Sequence, residues 1–152
     1  MFRRLLTAAA IGSTLIIPTA VAYPAAATTA GSWVRYKAHE TITADGVPVT
    51  TYFTNPTTPS GGQITGVSLL VQPYPQGPGV VETVDVCYQQ PGTTVDYKCK
   101  GATTITGSRA IWLHIFDGLD PKGTITVVHT LTGGTYPVAS TTSDRATVDY
   151  QY

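Results

Sequence analysis

An antiparallel all-β sandwich, immunoglobulin-like or related, with about eight or nine strands and one disulfide, is the fold class this sequence predicts. Three observations lead there. Short runs rich in Thr, Val, Tyr and Ile alternate apolar and polar residues, as a half-buried pleated surface requires. Clusters of Gly and Pro, 15 and 11 residues in the chain, separate those runs at the spacing usual in sandwiches and barrels. No window carries an apolar stripe of helical period with caps at its ends.

The chain begins with a segment that is not part of the fold. Residues 1–22 have the order of a secretory signal: Arg3 and Arg4, an apolar stretch from Leu5 to Ile17, then the small residues Ala20 and Ala22. Cleavage after Ala22 would leave Tyr23 first, and a second small-residue site ends at Ala27. Residues 23–31 read as an Ala/Thr-rich linker, and residues 32–152 as a single domain of ordinary size.

Within that domain the expected strands follow in order. Ser32–His39 alternates Trp33, Arg35 and Lys37 with Val34, Tyr36 and Ala38. Val47–Phe53 follows the Ala44-Asp45-Gly46 turn. Ile64–Gln72 places Val67, Leu69 and Val71 on one face, and Val80–Tyr88 does the same with Val84, Val86 and Tyr88. Val95–Lys100 and Ala102–Thr106 are short, as edge strands are. Ala110–Phe116 and Thr124–Leu131 read as a hairpin around Asp117–Gly123. Arg145–Tyr152 closes the chain with Ala146, Val148 and Tyr150 in phase.

A small β-barrel is the alternative architecture. The aromatic C-terminus also resembles the closing strand of an outer-membrane barrel. The Pro-rich loops and strands too short to cross a bilayer count against a membrane barrel. No later stretch is long and apolar enough for a spanning helix, so no membrane span is expected.

Cys87 and Cys99 are the only cysteines. In an exported chain they are expected to form a disulfide, with Pro91-Gly92 turning the chain between them. The Cys-Trp-Cys arrangement of an antibody-type domain is absent. Charged residues make up only 12% of the chain, and removing Arg3 and Arg4 leaves seven basic against nine acidic residues. That balance excludes an electrostatic grip on nucleic acid.

The familiar catalytic motifs are missing. His39-Glu40 does not continue into a zinc-protease pattern, and His39, His114 and His129 have no spacing that selects one of them. Asp117 and Asp120 share a Gly-rich turn that is better explained by turn chemistry than by calcium. No catalytic residue, metal site or cofactor is therefore assigned.

The most suggestive feature is the expected late hairpin. It would bury Ile111, Leu113 and Ile115 opposite His129, Val127 and Ile125, and place Trp112, His114 and Phe116 together on the other face. Three rings in a row would make a stacking platform for sugar rings or for a protein surface. Trp33 and Tyr36 are weaker candidates, read as packing. The expected function is a secreted or periplasmic, non-enzymatic binding module for a glycan or protein surface. A structural or envelope-associated protein and a small secreted hydrolase are the alternatives. An exposed aromatic stripe would favour binding, and a cleft holding a His with a carboxylate and a hydroxyl would favour the enzyme.

Overall fold

The computed structural model describes residues 28–75 and 77–152; the expected signal segment and most of the expected linker lie outside them. Among the described residues, nine strands form two antiparallel sheets. The strands are β1 (Ala30–Ala38), β2 (Val49–Phe53), β3 (Gln63–Val71), β4 (Val81–Gln89), β5 (Asp96–Cys99), β6 (Thr103–Ile105), β7 (Arg109–Trp112), β8 (Thr124–Thr132) and β9 (Ser143–Gln151). The four-stranded sheet runs in the order β1-β9-β3-β7. The other runs β2-β8-β4-β5, with β6 also paired to β4. Neither sheet closes on itself, so the molecule is a sandwich rather than a barrel.

Alternation in the sequence sets which side chains meet between the sheets. Val67, Leu69 and Val71 from β3, Val84, Val86 and Tyr88 from β4, and Ala146, Val148 and Tyr150 from β9 are all buried in one apolar core. Cys87 and Cys99 sit directly opposite each other on β4 and β5 and are joined by a disulfide. β1 begins two residues before the expected boundary, at Ala30, and Thr29 exchanges two backbone hydrogen bonds with Tyr152.

The expected late hairpin does not form. β7 pairs with β3, Ser68 opposite Trp112, while β8 lies between β2 and β4 in the other sheet. The connection explains why. After Trp112 the chain enters a single 3-10 turn, His114–Phe116. Gly118 and Leu119 then exchange backbone hydrogen bonds with Ile64 of β3, which holds the segment on the four-stranded sheet. The Tyr88 hydroxyl donates to the Asp120 carbonyl from the opposite sheet, at 2.9 Å. Gly123 allows that approach: a Cβ there would lie 2.2 Å from the Tyr88 ring. Residues 113–123 thus cross from one sheet to the other instead of turning back.

The turn also breaks the alternation. Trp112 and His114 are exposed, but Phe116 is fully buried and packs near Tyr88. The three rings do not share a face, because period-two alternation ends where the strand does.

Candidate functional site

Two places in this fold carry more than packing. The first is the outer face of the four-stranded sheet. Register across the four strands puts Val34, Thr147, Ser68 and Trp112 in one row. The adjacent row on the same face is Tyr36, Arg145, Leu70 and Ala110. Trp112 is 69% exposed and Tyr36 64%. At about 4.8 Å per strand, the two outermost strands lie roughly 14 Å apart. Between them, Arg145 places a cation near the middle of the row. Tyr36, expected as packing, instead points to solvent; Trp33, its neighbour in phase with the core, is buried. His114 is exposed beyond the end of β7 and pairs with Asp117 at 3.1 Å.

The second place is inside the sandwich. His39 follows β1, Glu82 lies in β4, His129 in β8 and Asp144 in β9, and all four are buried. They separate the main core from a smaller apolar cluster of Ile42, Tyr74 and Leu131. His129 is held on both ring nitrogens. Nδ1 is 2.6 Å from Glu82 Oε1, and Nε2 is 2.9 Å from Asp144 Oδ2. The other Glu82 oxygen accepts the Tyr74 backbone N–H at 3.0 Å, and Asp144 Oδ1 accepts that of Gln72 at 2.8 Å.

His39 has a different environment. Its Nδ1 is 3.0 Å from Ser140 Oγ. Its Nε2 is 2.9 Å from Asp144 Oδ1, yet no aligned hydrogen bond forms there. The rings of His39 and His129 lie 4.5 Å apart, and Tyr74 stacks near both, at 5.0 and 5.6 Å.

Electrostatics follow from this geometry. Burial alone would push the His129 pKa down, but hydrogen bonds to Asp144 and Glu82 outweigh it and raise the pKa to about 9. Burial would raise that of Asp144, but the hydrogen bond from His129 outweighs it and brings it below its ordinary value. Burial, reinforced by the nearby carboxylates, pushes the Tyr74 phenol up.

Ser140, His39 and Asp144 stand in hydroxyl–imidazole–carboxylate order, the order of a nucleophilic triad. Their arrangement does not suit that chemistry. The His39 side chain is wholly buried, and Ser140 Oγ is tied to the Thr142 backbone through both its N–H and its carbonyl. A pocket between β1 and β2 is lined by Lys37, Ala38, Glu40, Thr50, Thr51 and Tyr52, not by this triplet. Asp117 and Asp120, the turn carboxylates, are engaged locally: one with His114, the other with the Lys122 N–H.

Comparison with known proteins locates the fold but not a family. The sandwich is similar to the crystal structure of FlhE. The two chains are 18% identical, with a TM-score of 0.57 over 81% of this chain and 98% of that one. A weaker likeness is to turnip yellow mosaic virus, 15% identical with a TM-score of 0.47, over 91% of this chain and 87% of that one. No family model and no curated protein matches the sequence. At these identities the likeness concerns the fold alone.

No spacing in the sequence joins His39, Glu82, His129 and Asp144, which come from four different segments. The one available signal is His129 itself. It occupies an inward position of a strand whose other inward residues, Ile125, Val127 and Leu131, are aliphatic. A polar ring there needs partners.

Proposed function

We propose that this chain is an exported, non-enzymatic binding module that takes a glycan on the outer face of its four-stranded sheet. The observation that carries the reading is the exposure of Trp112 and Tyr36 on one face, with Arg145, Thr147 and Ser68 between them. Sugar rings stack on exposed indole and phenol faces, and the polar side chains between supply hydrogen bonds to hydroxyls. Isolated exposed apolar residues are ordinary, but a face bounded by two large aromatic rings is a favoured interaction surface. Export is supported by the ordered signal pattern of residues 1–22 and by the disulfide. Among the described residues no helix is long and apolar enough to cross a membrane. The small charge imbalance gives no support to a nucleic-acid partner.

Trp112→Ala and Tyr36→Ala, singly and together, test the reading on a glycan array. Because Trp112 is exposed, its replacement should change stability by no more than about 0.5 kcal/mol. Glycan binding by the native protein that disappears in the folded double variant is the expected result. Unchanged binding in that variant, or no glycan bound by the native protein, would overturn it.

A further inference from the structure

We propose that His39, His129 and Asp144 form a buried zinc site, with Glu82 and Ser140 as the groups that orient the two imidazoles. His39 Nε2, His129 Nε2 and a carboxylate oxygen of Asp144 all lie within 4.8 Å of one another. Each imidazole points its Nε2 at the same carboxylate, at 2.9 Å in both cases, one to each oxygen. Each also has its outer nitrogen held by an oxygen: Glu82 Oε1 for His129 and Ser140 Oγ for His39. This is how protein imidazoles are prepared for a metal. An oxygen partner on Nδ1 orients each ring, and zinc would displace the Nε2 proton of His129 to reach its lone pair.

The hydrogen bonding of Ser140 accommodates the Nδ1–H tautomer of His39. Ser140 Oγ has one proton, within reach of the Thr142 carbonyl at 3.2 Å, and it also accepts the Thr142 N–H. With that proton given to Thr142, the remaining Oγ lone pair accepts Nδ1–H of His39. His39 Nε2 then carries no proton and faces a carboxylate. It is the buried polar atom that makes no aligned hydrogen bond in the cluster. A lone pair directed at an anion is unfavourable unless a cation lies between them.

The dimensions and charge suit zinc. Zinc binds imidazole nitrogen and carboxylate oxygen at about 2.0–2.2 Å, so tetrahedral donors sit roughly 3.3 Å apart. Opening the 2.9 Å contacts by a few tenths of an ångström admits the ion. The two imidazoles and one Asp144 oxygen supply three donors, and the second Asp144 oxygen can add a longer fourth contact. Zinc with neutral imidazoles also balances the two buried carboxylates of Asp144 and Glu82. The donor set is closed and buried, as in structural rather than catalytic sites. The segments bearing His39 and Ser140 are joined by the Ile42–Val138 bridge, so bound zinc would fasten them to the sheets beneath.

The test uses untagged protein expressed from the full chain, stripped with a chelator and titrated with zinc. One zinc per chain by calorimetry and native mass spectrometry is expected, with a thermal midpoint that rises on zinc addition. His39→Ala should abolish uptake while His114→Ala, at the exposed histidine, retains it. Ser140→Ala should weaken binding about 10-fold or more. Should His39→Ala fail to fold, cobalt substitution of the native protein decides: tetrahedral ligand-field bands support the site, and their absence overturns it. Native protein that takes up no zinc, or folded His39→Ala and His114→Ala variants that bind equally, would also overturn it.

Discussion

Tyr88 shows how one side chain couples the two sheets. It stands inward on β4, its hydroxyl reaches the Asp120 carbonyl, and Gly123 makes room for its ring. Burial, with the charge of Asp120 adding to it, raises its pKa to about 12. The sign in stability terms is definite. The unfolded chain ionises this phenol near 10 while the folded one keeps its proton. The stability it contributes is therefore full below pH 10 and lost as pH rises toward 12. Spectrophotometric titration should show late-ionising phenols, Tyr74 among them, of which Tyr88→Phe removes one, and unfolding midpoints of the native protein should fall above pH 10. A Tyr88→Phe variant with an unaltered alkaline titration would contradict this. At the same scale, inward residues such as Val67, Val84 and Val148 were legible from alternation alone. Phe116 was not, because a 3-10 turn shifts the phase after Trp112. The buried cluster was invisible for a different reason: its members are local singletons, and only the pairing of distant strands brings them together.

At the scale of elements, the nine strands could be read from the chain, but not all of their partners. Period and turn residues are local properties, whereas the choice between returning beside a strand and crossing to another sheet depends on contacts made far away. The segment 113–123 illustrates it, since backbone bonds to Ile64 decide its course. The β4–β5 pair was legible because the two cysteines constrain it. All four residues of β5 are exposed, so little apolar burial holds this strand. The disulfide therefore supplies much of its attachment, about 3 kcal/mol for a loop of this length in the chain-entropy model. Cys87→Ala/Cys99→Ala together should lower stability by that order. In hydrogen exchange, Asp96–Cys99 should lose protection first while β4 and β8 keep theirs. Uniform loss across all strands would show that the bridge serves the whole sandwich instead.

For the whole molecule, the sandwich class follows from composition and spacing, while the strand order within each sheet does not. Alternation names the inward face of a strand and says nothing about its neighbours. Thr29 and Ala30, downstream of the expected cleavage after Ala22, pair with Tyr152 and Gln151. N-terminal sequencing of protein recovered from outside the cytoplasm should begin at Tyr23, or at Thr28 if the second small-residue site is used. A mature chain that retains Met1 would refute export by this signal.

The position of β9 has a consequence for how such a chain is made. The last strand of the sequence lies in the interior of its sheet, between the first strand and the third. Before residues 143–151 emerge, β1 has no hydrogen-bonded neighbour in that sheet, and the sandwich lacks one of its central walls. The four-stranded sheet cannot close before β9 has been made. Until β9 is in place β1 and β3 stay unjoined, so the first strand can enter this sheet only with or after the ninth.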